Sequence, residues 1–212
     1  MSELLIDREN HTYHLNQAKL DSVTDILSIF GAMDCVNPEI LDRANIKGKA
    51  VHLATEYYDA SIPVSLFPQG VLNEETLSDS IVPYLEGWKN FLKDTKFQII
   101  DIEKTGYHKV HKYAYTVDRT GIYKGKLTIA DIKSGTVNAK TTALQVAGYQ
   151  EGVNSWIPKK SDKFVNRITV WLQPKFPRGY KVIEHKNKND INTFLCVVNT
   201  YKWGKEMGYY GK

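Results

Sequence analysis

The chain has 212 residues, of which 42% are hydrophobic and 25% charged, and its formal charge is +4. This composition suits one domain with a substantial core, excludes a disordered or low-complexity chain, and permits an anionic partner without demanding one. Cys35 and Cys196 lie far apart without CxxC spacing, so a four-thiolate zinc or iron-sulfur centre is excluded; no run approaches the ~18 apolar residues of a membrane span. The polar start "MSELLIDREN" lacks the basic-then-apolar order of a leader, and the expected location is the cytoplasm.

In chain order, "HTYHLNQAKLDSVTDIL" predicts a short two-stranded start and a helix capped by Ser22 or Asp21, with Val23, Ile26, Leu27 and Phe30 at helical spacing. From Pro38 to about Ala60 the pattern is helical again, through Ile40, Leu41, Ala44, Val51, Leu53, Ala54 and Tyr57, and "SIPVSLFPQG" breaks it. A third helix is predicted from about Glu74 to Asp94, bent at Pro83 and presenting Leu77, Ile81, Leu85, Trp88 and Leu92. The part from about 20 to 95 is therefore mainly helical.

The texture then changes. "KFQIIDIEKTGYHKVHKYAYTVDRTGIYKGKLTIADIK" is rich in β-branched and aromatic residues, and its "TG", "RTG" and "KG" pairs predict three consecutive strands. "TTALQVAGYQEGVNSW" reads as a helix, "NRITVWLQPK" and "YKVIEHK" as strands, and "NDINTFLCVVNTYKWGKE" as a final helix capped by Asn189 or Asp190. The expectation is a single domain over 1–212 of the α/β class, in which a βββαββα core from about 96 to 206 builds a central sheet flanked by helices.

Within "GKLTIADIKSG", strand alternation puts Leu127, Ile129, Asp131 and Lys133 on one face and Thr128, Ala130 and Ile132 on the other. Two opposite charges thus stand side by side in an apolar strand, which reads either as an ion pair at a strand end or as an active site. Thirteen residues earlier "YAYTVDRTG" places Asp118 at a predicted strand end, before a turn, from which it converges on Asp131 if the two strands pair. Two carboxylates beside a lysine suit metal-assisted phosphoryl chemistry, because hard oxygen ligands hold the cation and the ammonium stabilises developing charge; a turn aspartate is the ordinary alternative for Asp118. "GKAVHLATE" sets His52 and Glu56 on one helix face, and "QVAGYQ" does the same for Gln145 and Tyr149.

Two patterns carry no function. "GIYKGKL" lacks the glycine spacing and the Ser or Thr of a nucleotide-binding loop, since only three residues lie between Gly121 and Gly125 where the loop needs four, and Leu127 follows Lys126; no nucleotide is expected. "HKVH" at 108–111 puts its histidines on opposite faces of a predicted strand, a poor chelate.

The ordered set of Gly48-Lys49-Ala50-Val51-His52, Asp118, Asp131-Ile132-Lys133 and Gln145-(x3)-Tyr149 resembles the PD-(D/E)XK nuclease superfamily, specifically the small phage-type members of its RecB-like exonuclease branch. The likeness spans roughly residues 10 to 150 and rests on the conjunction rather than on any one motif. It implies a restriction-endonuclease-like core, with His52, Asp118, Asp131 and the Ile132 carbonyl as ligands of one or two Mg2+ or Mn2+ ions. It further implies Lys133 as the catalytic lysine, and Gln145 and Tyr149 as residues over the DNA near the scissile phosphate. Val117 stands where the motif has proline, and the four-cysteine cluster of some members is missing, so no iron-sulfur cluster is expected.

The implied activity is DNA hydrolysis by an exonuclease in phage or bacterial replication, recombination or repair, with DNA and phage recombination or replication proteins as partners. The alternatives are a structure- or site-specific endonuclease on the same core, or a retired core that only binds DNA. Glu56 and Glu103 are additional candidates, the first as a water-mediated ligand or a solvated i,i+4 residue, the second as a site residue or a solvated strand end. Lys109, Lys112, Lys159 and Lys160 are candidate phosphate contacts or ordinary solvated lysines.

Overall fold

The structure, a computed structural model, describes residues 4–7, 12–30, 38–62, 72–73, 76–77 and 79–209. Cys35, Glu74 and most of "SIPVSLFPQG" lie outside these residues, as do the side chains of Ile40, Leu41 and Leu77. The core is a five-stranded mixed sheet in the order β10-β9-β8-β7-β6, made from β6 (Gln98–Tyr107), β7 (Ala114–Tyr123), β8 (Lys126–Lys133), β9 (Asn166–Leu172) and β10 (Tyr180–Glu184). Its pairs are antiparallel except β8 with β9, which run parallel. A parallel pair needs a crossover, and α4 (Ala139–Asn154) supplies it.

Helices cover both faces, so the central strands are apolar on both sides. Ala130 and Ile132 pack with Ile168, Val170 and Leu172 under α2 (Pro38–Asp59) and α3 (Val82–Thr95), around Trp88 and Phe91. Ile129, with Tyr113, Tyr115 and Val117, packs on the other face against α1 (Val23–Leu27), α4 and α5 (Asn189–Glu206), around Phe194. The alternation read from "KLTIADIK" is the alternation observed. The central strands β7, β8 and β9 are locked by burial on two sides, and a one-residue slip would exchange the faces.

A small antiparallel sheet of β1 (Leu4–Asp7), β2 (Thr12–Leu15) and β3 (Ala18–Leu20) precedes α1 and docks on the start of β7 through Tyr13, Leu20 and Ala114. Ser22 starts α1 with a reciprocal capping box: its hydroxyl accepts from the Asp25 N–H, and the Asp25 carboxylate accepts from the Ser22 N–H.

The structure corrects four local expectations. The third helix begins only at Val82, with Pro83 in its first turn, where a missing N–H costs nothing; Leu72–Asn73 (β4) and Thr76–Leu77 (β5) form a short hairpin before it. "HKVHKY" is a turn between β6 and β7, because His108 Nδ1 accepts from the backbone N–H groups of Val110 and His111 and curls the chain. The pairs "TG" and "RTG" lie inside strands, so Asp118 is the fifth of ten residues in β7 and precedes no turn. Neither Asn189 nor Asp190 caps α5 from its side chain: Lys188 holds the cap position, and Asn187 donates to the Asp190 carboxylate.

Candidate active site

Pairing between β7 and β8 runs from Tyr123 opposite Lys126 to Arg119 opposite Ala130 and then stops, while β8 continues along β9 as far as Lys133 opposite Trp171. The two strands part at Asp118. Its side chain fills the gap, and one carboxylate oxygen accepts the Ile132 N–H at 2.6 Å. The other oxygen lies 3.5 Å from His52 Nδ1 on α2. The convergence inferred from sequence is therefore present, although it arises within β7 and not at a turn.

Asp131 is 1% exposed, and one of its oxygens accepts from Lys133 Nζ at 3.0 Å. The second oxygen is buried with no hydrogen-bond partner among the described residues. An orphaned buried carboxylate oxygen is costly, and a cation is one remedy for it.

Glu103 completes the cluster. It sits on β6 at φ 48°, between register pairs Ile102–Arg119 and Lys104–Val117, and so stands level with Asp118. Asp101, expected on the same face, is instead engaged by Lys104 at 2.7 Å and by the Thr120 hydroxyl at 2.6 Å. Ligand atoms of His52, Glu103 and Asp118 all lie within 4.8 Å of one another, which places the three to share a metal ion. Asp131 stands outside this trio, turned toward Lys133. Glu56, one helical turn beyond His52, is also outside the trio, though its charge reaches Glu103 and adds to the upward pull there.

The electrostatics show what crowding does to these groups. Burial alone would raise the Asp118 carboxyl, but His52, Lys133 and the Ile132 amide outweigh it and hold the group down at about 2. Burial pushes Asp131 up to about 6 against the pull of Lys133. Burial, then the negative charge of Asp118, pushes Glu103 up to about 7. His52 is lowered by burial and raised more by Asp118, with a net upward shift; Lys133 behaves likewise, burial being outweighed by Asp131 and Asp118. Two carboxyls that resist ionisation beside one that is ionised form a site short of positive charge. A divalent cation is the simplest supply of it.

Gln145 and Tyr149 are joined on α4, the Gln145 side-chain amide donating to the phenol oxygen at 2.8 Å. Burial, followed by the charges of Asp131 and Asp118, raises the Tyr149 phenol well above its ordinary value, so it remains a neutral O–H donor beside the carboxylates. The remaining candidates are dispersed. Lys109 and Lys112 are exposed in the β6–β7 turn. Lys159 and Lys160 are exposed in the loop entering β9, whose Asn166 lies opposite Thr128 near the start of β8, at the far end of that strand from Asp131.

Sequence reasoning missed Arg119 and Asp59. Arg119 is fully buried under α2; its Nε donates to Asp59 at 2.6 Å, one terminal nitrogen to the Asp118 carbonyl at 2.5 Å and to Glu103 at 3.4 Å, and the other to Thr55 at 3.3 Å. The guanidinium lies 5.6 Å from the centre of the Trp88 ring, and the Trp88 indole N–H also donates to Asp59. The available signal was the spacing of His52, Thr55 and Asp59 at i, i+3 and i+7, a polar stripe beside the apolar Val51 and Ala54.

No family model and no curated protein matches this chain. Among solved structures it is similar to a candidate exonuclease from Eubacterium rectale, at 11% identity over 78% of this chain and 69% of that one, with a TM-score of 0.54. It also aligns with SSO0001, at 14% identity over 85% and 83% of the two chains, with a TM-score of 0.37 that carries no argument. The first similarity is one of fold: the chain folds as a mixed α/β sandwich of the kind seen in that candidate exonuclease, with its charged cluster where β7 and β8 part.

Proposed function

We propose that the protein is a divalent-metal-dependent deoxyribonuclease of the PD-(D/E)XK superfamily, RecB-like branch, acting as an exonuclease. The observation that carries this reading is the Asp118 carboxylate held between the Ile132 amide and His52, next to the buried Asp131–Lys133 pair. The fold shared with a candidate exonuclease supports it.

The residues fit a hard cation such as Mg2+ or Mn2+. Three groups already cluster within 4.8 Å, and a buried Asp131 oxygen lacks a partner among the described residues. In this reading His52, Asp118, Asp131 and the Ile132 carbonyl hold one or two ions, with Glu103 as a further ligand and Glu56 acting at most through water. When bound, the metal supplies Lewis-acid polarisation of the phosphate and a more acidic water.

The chain's own groups do the rest. Lys133, kept charged by Asp131 and Asp118, orients the attacking water and offsets the charge that builds on the phosphoryl oxygens. The water oxygen bonds to phosphorus, the bond from phosphorus to the leaving 3′ oxygen breaks, and the water's proton ends on the released hydroxyl. Tyr149, its oxygen occupied by Gln145, points its own proton at acceptors and so suits a phosphate near the carboxylates.

The test compares a linear DNA labelled at one end with a closed circle, in magnesium, manganese and chelator. The reading expects digestion of the linear form alone and only with metal. Cleavage of the circle would transfer the activity to an endonuclease, and binding of DNA without cleavage in either metal would leave a binding module.

A further inference from the structure

Past Tyr149, α4 carries one face of the molecule away from the carboxylates to Val153, and Trp156 follows its end. A cavity of about 350 Å³ opens there, lined by Thr105, Gly106 and Tyr107 of β6, Tyr115 of β7, Val153 and Trp156. The volume is in the range of small-ligand sites. The lining is aromatic and the rim is cationic.

Tyr115 is 4% exposed, and its side chain runs along Gly106, its register partner on β6. Two glycines make room for its ring. A Cβ at Gly106 would stand 2.5 Å from the hydroxyl oxygen, and one at Gly152 would stand 2.4 Å from a ring carbon. Burial pushes this phenol up to about 12, so it stays a neutral donor and acceptor.

Trp156 is 47% exposed yet fixed: its indole N–H donates to the Tyr107 carbonyl at 2.6 Å, and its ring meets Tyr107 edge-on at 5.1 Å. Lys109 stands 5.6 Å over the Trp156 ring and Lys112 5.1 Å over that of Tyr107. Neither lysine pairs with a carboxylate among the described residues. An exposed indole held by its N–H, a phenol hydroxyl and two ammonium groups without a carboxylate partner among the described residues form a surface that takes a flat polar ring attached to negative charge. A purely apolar occupant would leave the hydroxyl and both ammonium groups unused.

We propose that this cavity is a subsite for one unpaired nucleobase of a DNA strand, which stacks on Trp156 with its polar edge on the Tyr115 hydroxyl and its flanking phosphates on Lys109 and Lys112. The assignment rests on the reading of the neighbouring cluster as a DNA hydrolase and adds the substrate class: DNA with a single-stranded stretch close to the scissile bond. The spacing suits this. Five residues of helical rise separate Tyr149 from the end of α4 at Asn154, roughly 7–8 Å, which is about two nucleotides at the ~3.4 Å spacing of a stacked strand, and Trp156 follows two residues later. A base held in a duplex has no free face or edge to insert.

The experiment measures binding of the full chain to a short fluorescein-labelled single strand and to a blunt duplex of equal length, in calcium. Trp156→Ala is expected to weaken single-strand binding about tenfold, and Tyr115→Phe several-fold, with duplex binding unchanged in both. Single abasic substitutions along the strand should reduce wild-type affinity at one position, and Trp156→Ala should be indifferent at that position. Trp156→Phe, which keeps a stacking face, should retain most of the affinity, and thermal melting confirms that each variant is folded. A folded Trp156→Ala that binds the single strand as tightly as wild type, or loses duplex binding equally, overturns the subsite. Magnesium-dependent cleavage by the wild type separates the two claims. Cleavage with no effect of Trp156→Ala refutes the subsite alone, whereas loss of single-strand binding in a protein that never cleaves refutes the hydrolase and keeps the subsite.

Discussion

At the scale of single residues, the distinction that matters is between groups that hold charge and groups that act in the chemical step. Lys133→Ala should reduce the single-turnover rate by on the order of 10² or more, a few kcal/mol of transition-state stabilisation, while affinity for DNA in calcium changes little. If Lys133 were only the structural partner of Asp131, the loss would instead appear as a lower melting temperature with an unchanged rate per folded molecule. His52→Ala should weaken metal-dependent activity more than Glu56→Ala, because His52 belongs to the trio within 4.8 Å and Glu56 does not; a titration of rate against magnesium for both variants checks the ranking. That Asp131 lies beside Lys133 and Gln145 beside Tyr149 was legible because strand and helix periodicity assign faces from spacing, whereas the position of Asp118 depended on how β7 and β8 pair. The weight carried by Glu103 was not, since it depends on a backbone at φ 48° that no periodicity encodes.

Among the elements, α2 is the one whose placement the site depends on, and Arg119 ties it to β7. The guanidinium is fully buried and its Asp59 partner's side chain is 1% exposed, so removing one charge strands the other in the interior. Asp59→Ala should cost about 3–5 kcal/mol of stability, measured by denaturant unfolding, where a surface substitution such as Glu86→Ala should cost less than ~1 kcal/mol. A small effect at Asp59 would mean that the pair is not what fixes α2. The order of helices followed by a βββαββα block was readable from residue texture, and of the two caps offered for α1, Ser22 or Asp21, Ser22 is the one used. Two of the misplacements come from interactions that no local pattern encodes: pairing across the sheet carried "RTG" through β7, and backbone capture by His108 turned "HKVHKY".

For the whole molecule, the crowded carboxyls make stability depend on pH and on metal together. Glu103 at about 7 and Asp131 at about 6 both lie above their ordinary values of 4.5 and 3.8, so the folded state binds more protons than the unfolded chain between those limits. Their contribution is fully present below the ordinary values and is lost as pH rises through about 6 to 7; the raised His52 acts with the same sign. Asp118, held down at about 2, acts with the opposite sign but below that window. Melting temperature in chelator should therefore fall across this range, less steeply in Glu103→Gln, and manganese or magnesium should restore it at the upper end. The most direct test of the account is single-turnover cleavage of an end-labelled linear DNA in saturating magnesium by wild type and Asp131→Asn. The account predicts shortening from the end by the wild type and none by the folded variant; wild-type turnover in Asp131→Asn, or no magnesium-dependent cleavage by the wild type, would contradict it.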